Sequence, residues 1–88
     1  MSMHLSDTQD FAIQAKVAGL LGAEIYDDLF DSVSFAEVDQ DVLLAYVNDA
    51  GKADDIESMY CFEISAAAEM VLKRKIELVM VLPRALVH

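Results

Sequence analysis

Ile13, Val17, Leu20 and Leu21 fall at i, i+4, i+7 and i+8, one apolar stripe that predicts a helix over about 8–21. Ser6 or Asp7 can cap it by accepting from free backbone N–H groups, and Gly22 can end it. Ile25, Tyr26, Leu29 and Phe30 then predict a short second helix over about 23–30, whose other face carries Glu24, Asp27, Asp28 and Asp31. Val33 to Val47 reads as a hairpin with its turn at Asp39-Gln40-Asp41. Val42, Leu44 and Tyr46 lie on one side of the returning strand and Leu43, Ala45 and Val47 on the other, so that strand is expected to be central and covered on both faces.

Asn48 to Gly51 is a loop. Ile56, Tyr60, Ile64, Ala67 and Val71 form a heptad-like stripe that predicts a third helix over about 52–73, closed by Lys73, Arg74 and Lys75 at the negative end of its dipole. Asp54 and Glu57 have capping-box spacing, and Asp49 offers an earlier cap. Ile76–Leu82 is rich in β-branched residues and predicts a strand that Pro83 stops. Met1–Leu5 carries no pattern and is expected to fray, and 84–88 is an unassigned tail. The order ααββαβ predicts one α+β domain over 1–88, a three-stranded sheet with helices packed on it.

Composition narrows the function classes. The 56% apolar content is enough for a core without disulfides, and the single Cys61 has no partner for one. One cysteine and no visible signal peptide point to a cytoplasmic setting, and no apolar run is long enough for a bilayer. The net charge of −10 is uneven: Glu24 to Glu57 holds eleven acids against one base, Lys52. Such a field repels phosphates, so nucleic acid is a disfavoured partner. It suits either a solvated surface or a docking face for a basic partner.

Catalytic chemistry finds little to work with. Asp27, Asp28 and Asp31 have no histidine partner, and Asp39-Gln40-Asp41 lacks the glycine and glutamate of a calcium loop. Cys61 sits beside the apolar stripe of the third helix, where a small buried hydrophobe is expected. His4 and His88 lie in the termini, and Met59, Met70 and Met80 are expected to fill the core. No catalytic base, triad, phosphate-binding loop or GXXG loop is present, so a non-enzyme without cofactor or metal is expected.

Two segments carry a resemblance. Leu21-Gly22-Ala23-Glu24-Ile25-Tyr26-Asp27-Asp28-Leu29-Phe30 is similar to an "LGEDIYxxWF" segment, and Val47 to Tyr60 aligns without a gap to a loop and helix start of the form "(A/V)P(N/T)xF…xxWIxxxY", keeping Ile56 and Tyr60. With Lys75-Ile76-Glu77-Leu78-Val79 as a last strand, the chain resembles the N-terminal domain (domain I) of the bacterial replication initiator DnaA over about residues 8–82. That family has a KH-like fold, so the resemblance implies a KH-like ααββαβ domain. It implies a protein–protein interaction module that regulates chromosome replication initiation by binding DnaA, an Hda-type ATPase or the replicative helicase.

The resemblance also implies positions. The self-association site of the family falls at Asp10, with Phe11 beside it. The acidic partner-binding position of the second helix falls at Ile25, next to Glu24, with Asp28 on the same helix. The helicase-contacting loop aromatic falls at Gly51, and the third-helix tryptophan at Asp55. With Asp49 and Asp54, these make the expected partner surface Glu24, Ile25, Asp28, Asp49, Gly51, Asp54 and Asp55, and Asp10 and Phe11 the expected seat of a weak homodimer. Leu29 and Asn48 replace a tryptophan and a proline, and large aromatic anchors dominate many interfaces, so the resemblance implies a changed partner. No motor or DNA-binding module accompanies the domain in this sequence, as expected either of an excised piece of an initiator or of a freestanding DnaA-related protein of the HdaB-like kind, and the departures favour the second. A second reading uses the acidic residues as a DNA mimic, a phage or mobile-element inhibitor that blocks a basic site.

Overall fold

A computed structural model describes residues 2–84. The elements are β1 (Ser2–His4), α1 (Asp7–Leu21), α2 (Ala23–Leu29), β2 (Ser34–Asp39), β3 (Val42–Val47), α3 (Ala50–Leu72) and β4 (Leu78–Pro83). They form an α+β domain with a mixed sheet in the order β1-β2-β3-β4. The pairs β1–β2 and β2–β3 are antiparallel, and β3–β4 is parallel, so α3 is the crossover.

Among the described residues the sheet has four strands, not the three expected. Ser2–His4 pairs with Glu37–Asp39, and the Leu5 N–H donates to the Ala36 carbonyl at 2.9 Å. This short strand fills the outer edge of β2, and Met3 packs against the core from it. Backbone pairing, which a three-residue segment does not announce through periodicity, is the reason it forms.

Local chemistry sets the helix ends. Ser6 Oγ accepts from the Gln9 N–H at 3.1 Å and Gln9 Oε1 from the Ser6 N–H at 2.9 Å, a capping box that starts α1. Gly22 takes a φ of 90°, a conformation a side chain would strain, and so separates α1 from α2. Asp49, rather than Asp54, caps α3, accepting from the Lys52 N–H at 3.0 Å. Lys73 closes α3 in the left-handed region. The following turn is pinned: Ser65 Oγ donates to the Ile76 carbonyl at 2.8 Å, and the Ile76 N–H donates to Glu69 Oε2 at 2.9 Å.

The core lies between one face of the sheet and helices α1 and α3. Val38, Phe35, Leu43, Ala45, Val47, Val79 and Val81 point into it, meeting Ile13, Val17, Ile56, Ile64, Ala67 and Ala68. Phe35 and Val38 are three residues apart, yet both face inward. A bulge between Phe35 and Glu37 absorbs the extra residue and keeps both on the buried side.

The expectation that β3 is covered on both faces is not met. Leu43, Ala45 and Val47 are buried, whereas Val42, Leu44 and Tyr46 are half-buried on a face that no described helix covers. Their cross-strand partners there are Leu78, Met80 and Leu82. Arg84 closes one end of this face: its N–H donates to the Val47 carbonyl at 2.7 Å, and its guanidinium lies 4.1 Å from the centre of the Tyr46 ring.

Four further core expectations are corrected. Met59, Met70 and Met80 are exposed, as is Cys61. Residues Ala53, Ile56, Ile64, Ala67 and Ala68 already fill the inward side of α3, so Met59, Met70 and Cys61 at other phases of the helix turn outward, and Met80 alternates with the buried Val79 and Val81 of β4 onto the other face of the sheet. Leu20 also lies outside the core, at the exposed side of α1. His88 lies outside the described residues.

Candidate functional site

The expected surface residues fall into three groups. Glu24, Ile25 and Asp28 line one shallow concavity with Leu21, Gly22 and Ala23, where α1 turns into α2. Glu24 and Asp28 are exposed and Ile25 half-buried, so acids surround a partly covered aliphatic side chain. Asp49 and Gly51 sit at the start of α3. The Asp49 carboxylate is occupied by its capping bond, and a Cβ at Gly51 would lie 3.1 Å from it. Asp54 and Asp55 are exposed one turn further along α3.

Two ties hold the end of α2 beside the start of α3. Lys52 Nζ meets Asp31 Oδ1 at 3.2 Å. Ser32 Oγ donates to Asn48 Oδ1 at 2.9 Å and accepts from the Asn48 N–H at 3.2 Å. Tyr26 and Phe30 stack with centroids 5.4 Å apart, and Phe30 meets Tyr60 at 6.2 Å, so rings join α2 to α3. Asp31 and Ser32, just past α2, are thereby held against the loop that opens α3.

The eleven acids do not form one face. Asp39 and Asp41 flank the hairpin turn at the opposite end of β3, where Arg74 donates to the Gln40 carbonyl at 2.7 Å. Glu57 is taken up structurally, its Oε2 accepting from the Val81 N–H at 2.8 Å. Gln40 adopts a positive φ to close the tight turn between β2 and β3.

Asp10 and Phe11, adjacent in sequence, have different surroundings. Asp10 Oδ1 accepts from the Phe35 N–H at 2.8 Å and from Gln14 Nε2 at 2.9 Å, binding α1 to β2. Gln14 Oε1 in turn accepts from the Tyr26 hydroxyl at 2.9 Å. Burial, then the nearby Asp10 and Asp27 carboxylates, push the Tyr26 phenol above its usual pKa. Phe11 is 64% exposed.

Sequence reasoning missed the outer face of α3. Phe62 is 82% exposed, Met59 61% and Met70 53%. Phe62 and Cys61 also line a groove against β4 with Ser65, Ala66, Leu78 and Val79. The signal was present as a second apolar stripe opposite the first, at residues 59, 62, 66 and 70.

Among the described residues, no group of three His, Cys, Asp or Glu side chains is placed to hold a metal ion. No described helix is long and apolar enough to cross a membrane. The fold defines the chain only by class, as an α+β domain with a four-stranded mixed sheet. No protein-family model, curated protein or solved structure matches it.

Proposed function

We propose that the protein is a non-enzymatic interaction module of the KH-like, DnaA domain I-like kind, regulating chromosome replication initiation by binding DnaA or one of its regulators, such as an Hda-type ATPase. The observation that carries this reading is the gapless resemblance of Val47–Tyr60 to a partner-binding loop and helix start. Two structural features support it. From α1 onward the element order is ααββαβ, with β1 an addition at the sheet edge. The Asp31–Lys52 and Ser32–Asn48 ties also bring the resembling loop against the residues that directly follow the first resembling segment.

The working surface is the concavity of Glu24, Ile25 and Asp28, extended by the start of α3. Its acids fit a basic partner patch, and Ile25 supplies an apolar contact. Affinity purification from the host lysate, with mass spectrometry of co-eluting proteins, tests the reading. Recovery of DnaA, an Hda-type ATPase or the replicative helicase by the wild type, and its loss from the Glu24→Lys/Asp28→Lys variant, is the expected result. Recovery of none of the three rejects the reading.

A further inference from the structure

The sheet face that no described helix covers is apolar along two strands. Pairing sets Val42 beside Leu78, Leu44 beside Met80 and Tyr46 beside Leu82 there. Leu78 is 54% exposed and Met80 38%. The solvated side of a sheet ordinarily carries polar residues, and a contiguous apolar patch with a polar rim marks a contact surface. The rim here is charged unevenly. The β2–β3 register places Glu37 beside Leu44 and Asp39 beside Val42, so β2 lays an acidic row along one flank. At the end away from Asp39, the Arg84 guanidinium lies 4.1 Å from the centre of the Tyr46 ring.

That end is a concavity of about 220 Å³ lined by Ser32, Ser34, Tyr46, Val47, Asn48 and Arg84. Among the described residues, no acceptor engages the Ser34 hydroxyl, the Asn48 amide N–H groups or the Arg84 guanidinium. The concavity therefore offers donors and a positive charge, whereas the β2 flank offers carboxylates. We infer that an amphipathic helix of a partner protein docks on this face, with its C-terminal end at the Arg84 concavity and basic residues along Glu37 and Asp39.

Size and charge favour that occupant. Two strands at about 4.8 Å spacing make a strip about 10 Å wide, the diameter of one helix. From Leu78 to Arg84 the strip is about 20 Å long at 3.3 Å per residue, which matches nearly four helical turns. The last carbonyls of a helix lack partners within it and carry the negative end of its dipole. The donors of Ser34, Asn48 and Arg84 suit them. An added strand is disfavoured, because Glu57 covers the Val81 N–H at the outer edge of β4 and Pro83 has none. A second copy of the chain is disfavoured as well, because it brings another net charge of −10. A strip this narrow buries less than the roughly 800 Å² per partner of a standard interface. The complex is therefore reversible, and it weakens with salt as the flank charges are screened.

This surface shares no residue with the concavity of Glu24, Ile25 and Asp28, so the two can fail separately. The probe is a synthetic amidated peptide of leucine and lysine, about 18 residues long so that it can be helical, with leucines at i, i+3, i+4 and i+7. Titration into the intact chain at roughly 150 mM salt (a Debye length of about 8 Å) should shift the amide resonances of Leu44, Tyr46, Met80 and Leu82. Leu78→Ser/Met80→Ser should weaken binding about tenfold, with an unchanged far-ultraviolet circular dichroism spectrum because both side chains lie outside the core. Glu37→Lys and Arg84→Gln should each weaken it several-fold, whereas Glu24→Lys/Asp28→Lys should leave it unchanged. A spin label at the C-terminus of the peptide should broaden the Tyr46 amide, and one at the N-terminus the Val42 amide. Absence of binding, shifts confined to other residues, or equal loss in Glu24→Lys/Asp28→Lys overturns the proposal. The reverse broadening pattern does so too. So does a chain that dimerises without peptide and loses the dimer in Leu78→Ser/Met80→Ser, because a second copy then covers the face.

Discussion

Glu57 on α3 accepts a hydrogen bond from the backbone N–H of Val81, 2.8 Å away on the outer edge of β4. Strand edges expose unpaired donors that invite pairing with other chains. Here one donor is covered by a helix carboxylate, and Pro83 two residues on has none to offer. Glu57→Ala should cost about 1 kcal/mol and uncover the Val81 N–H. Thermal denaturation reads the first effect. Faster amide hydrogen exchange at Val81, with unchanged exchange at Leu43, reads the second.

Asp10 joins α1 to β2 through the Phe35 N–H and to α2 through Gln14 and Tyr26. Asp10→Ala leaves the Phe35 donor without its acceptor at a half-buried site. The expected loss is about 1–3 kcal/mol, or roughly 4–8 °C in melting temperature for each kcal/mol in a domain this small. Phe11→Ala next to it removes an exposed ring and should change stability by less than about 0.5 kcal/mol.

The raised pKa of Tyr26 fixes a sign for alkaline stability. Its phenol is harder to ionise folded than unfolded, so its contribution is complete below the unfolded value of 10.0 and is lost as pH rises toward the higher folded value. Tyr26→Phe should be less stable than wild type at neutral pH, because the bond to Gln14 is gone, and the gap should narrow above pH 10. Melting temperatures of both proteins across that window check this. A constant gap would refute it.

Cys61 is exposed on α3, at the groove beside β4. A disulfide reagent should therefore modify it stoichiometrically in the native protein, without denaturant. The reaction should leave the circular dichroism spectrum unchanged. Protection of the thiol until unfolding would show that the groove is closed in solution.

Much of the fold was legible because its elements carry strong periodicity. The stripe Ile13–Val17–Leu21 and the stripe Ile56–Tyr60–Ile64–Ala67–Val71 lie on the helix faces that pack. The hairpin was legible from Val42 to Val47 and its acidic turn. β1 was not, since Ser2–His4 offers one apolar side chain and gains its place through pairing with β2. The coverage of β3 was also hidden. Leu44 and Tyr46 are as apolar as Leu43 and Ala45, and only the placement of both long helices on one side decides which are buried.

The candidate site divides in the same way. That Glu24 and Asp28 would be exposed followed from the polar face of α2. That Asp54 and Asp55 would lie apart from Asp39 and Asp41 did not, because β3 carries the chain across the sheet between them. Composition counts these acids together, and topology separates them. The exposed Met59, Phe62 and Met70 were obscured by a general preference: methionine and phenylalanine are usually interior residues. The inward phase of α3 was already occupied.

The parallel pairing of β3 with β4 also sets a timetable for synthesis. β3 emerges from the ribosome before α3, and its second neighbour follows only after residues 48–77 have been made. At about 5–20 residues per second, β3 waits a few seconds with one edge bare, including Leu43 and Ala45, which later pair with Val79 and Val81. The nascent chain then holds a hairpin and a growing helix but no finished core.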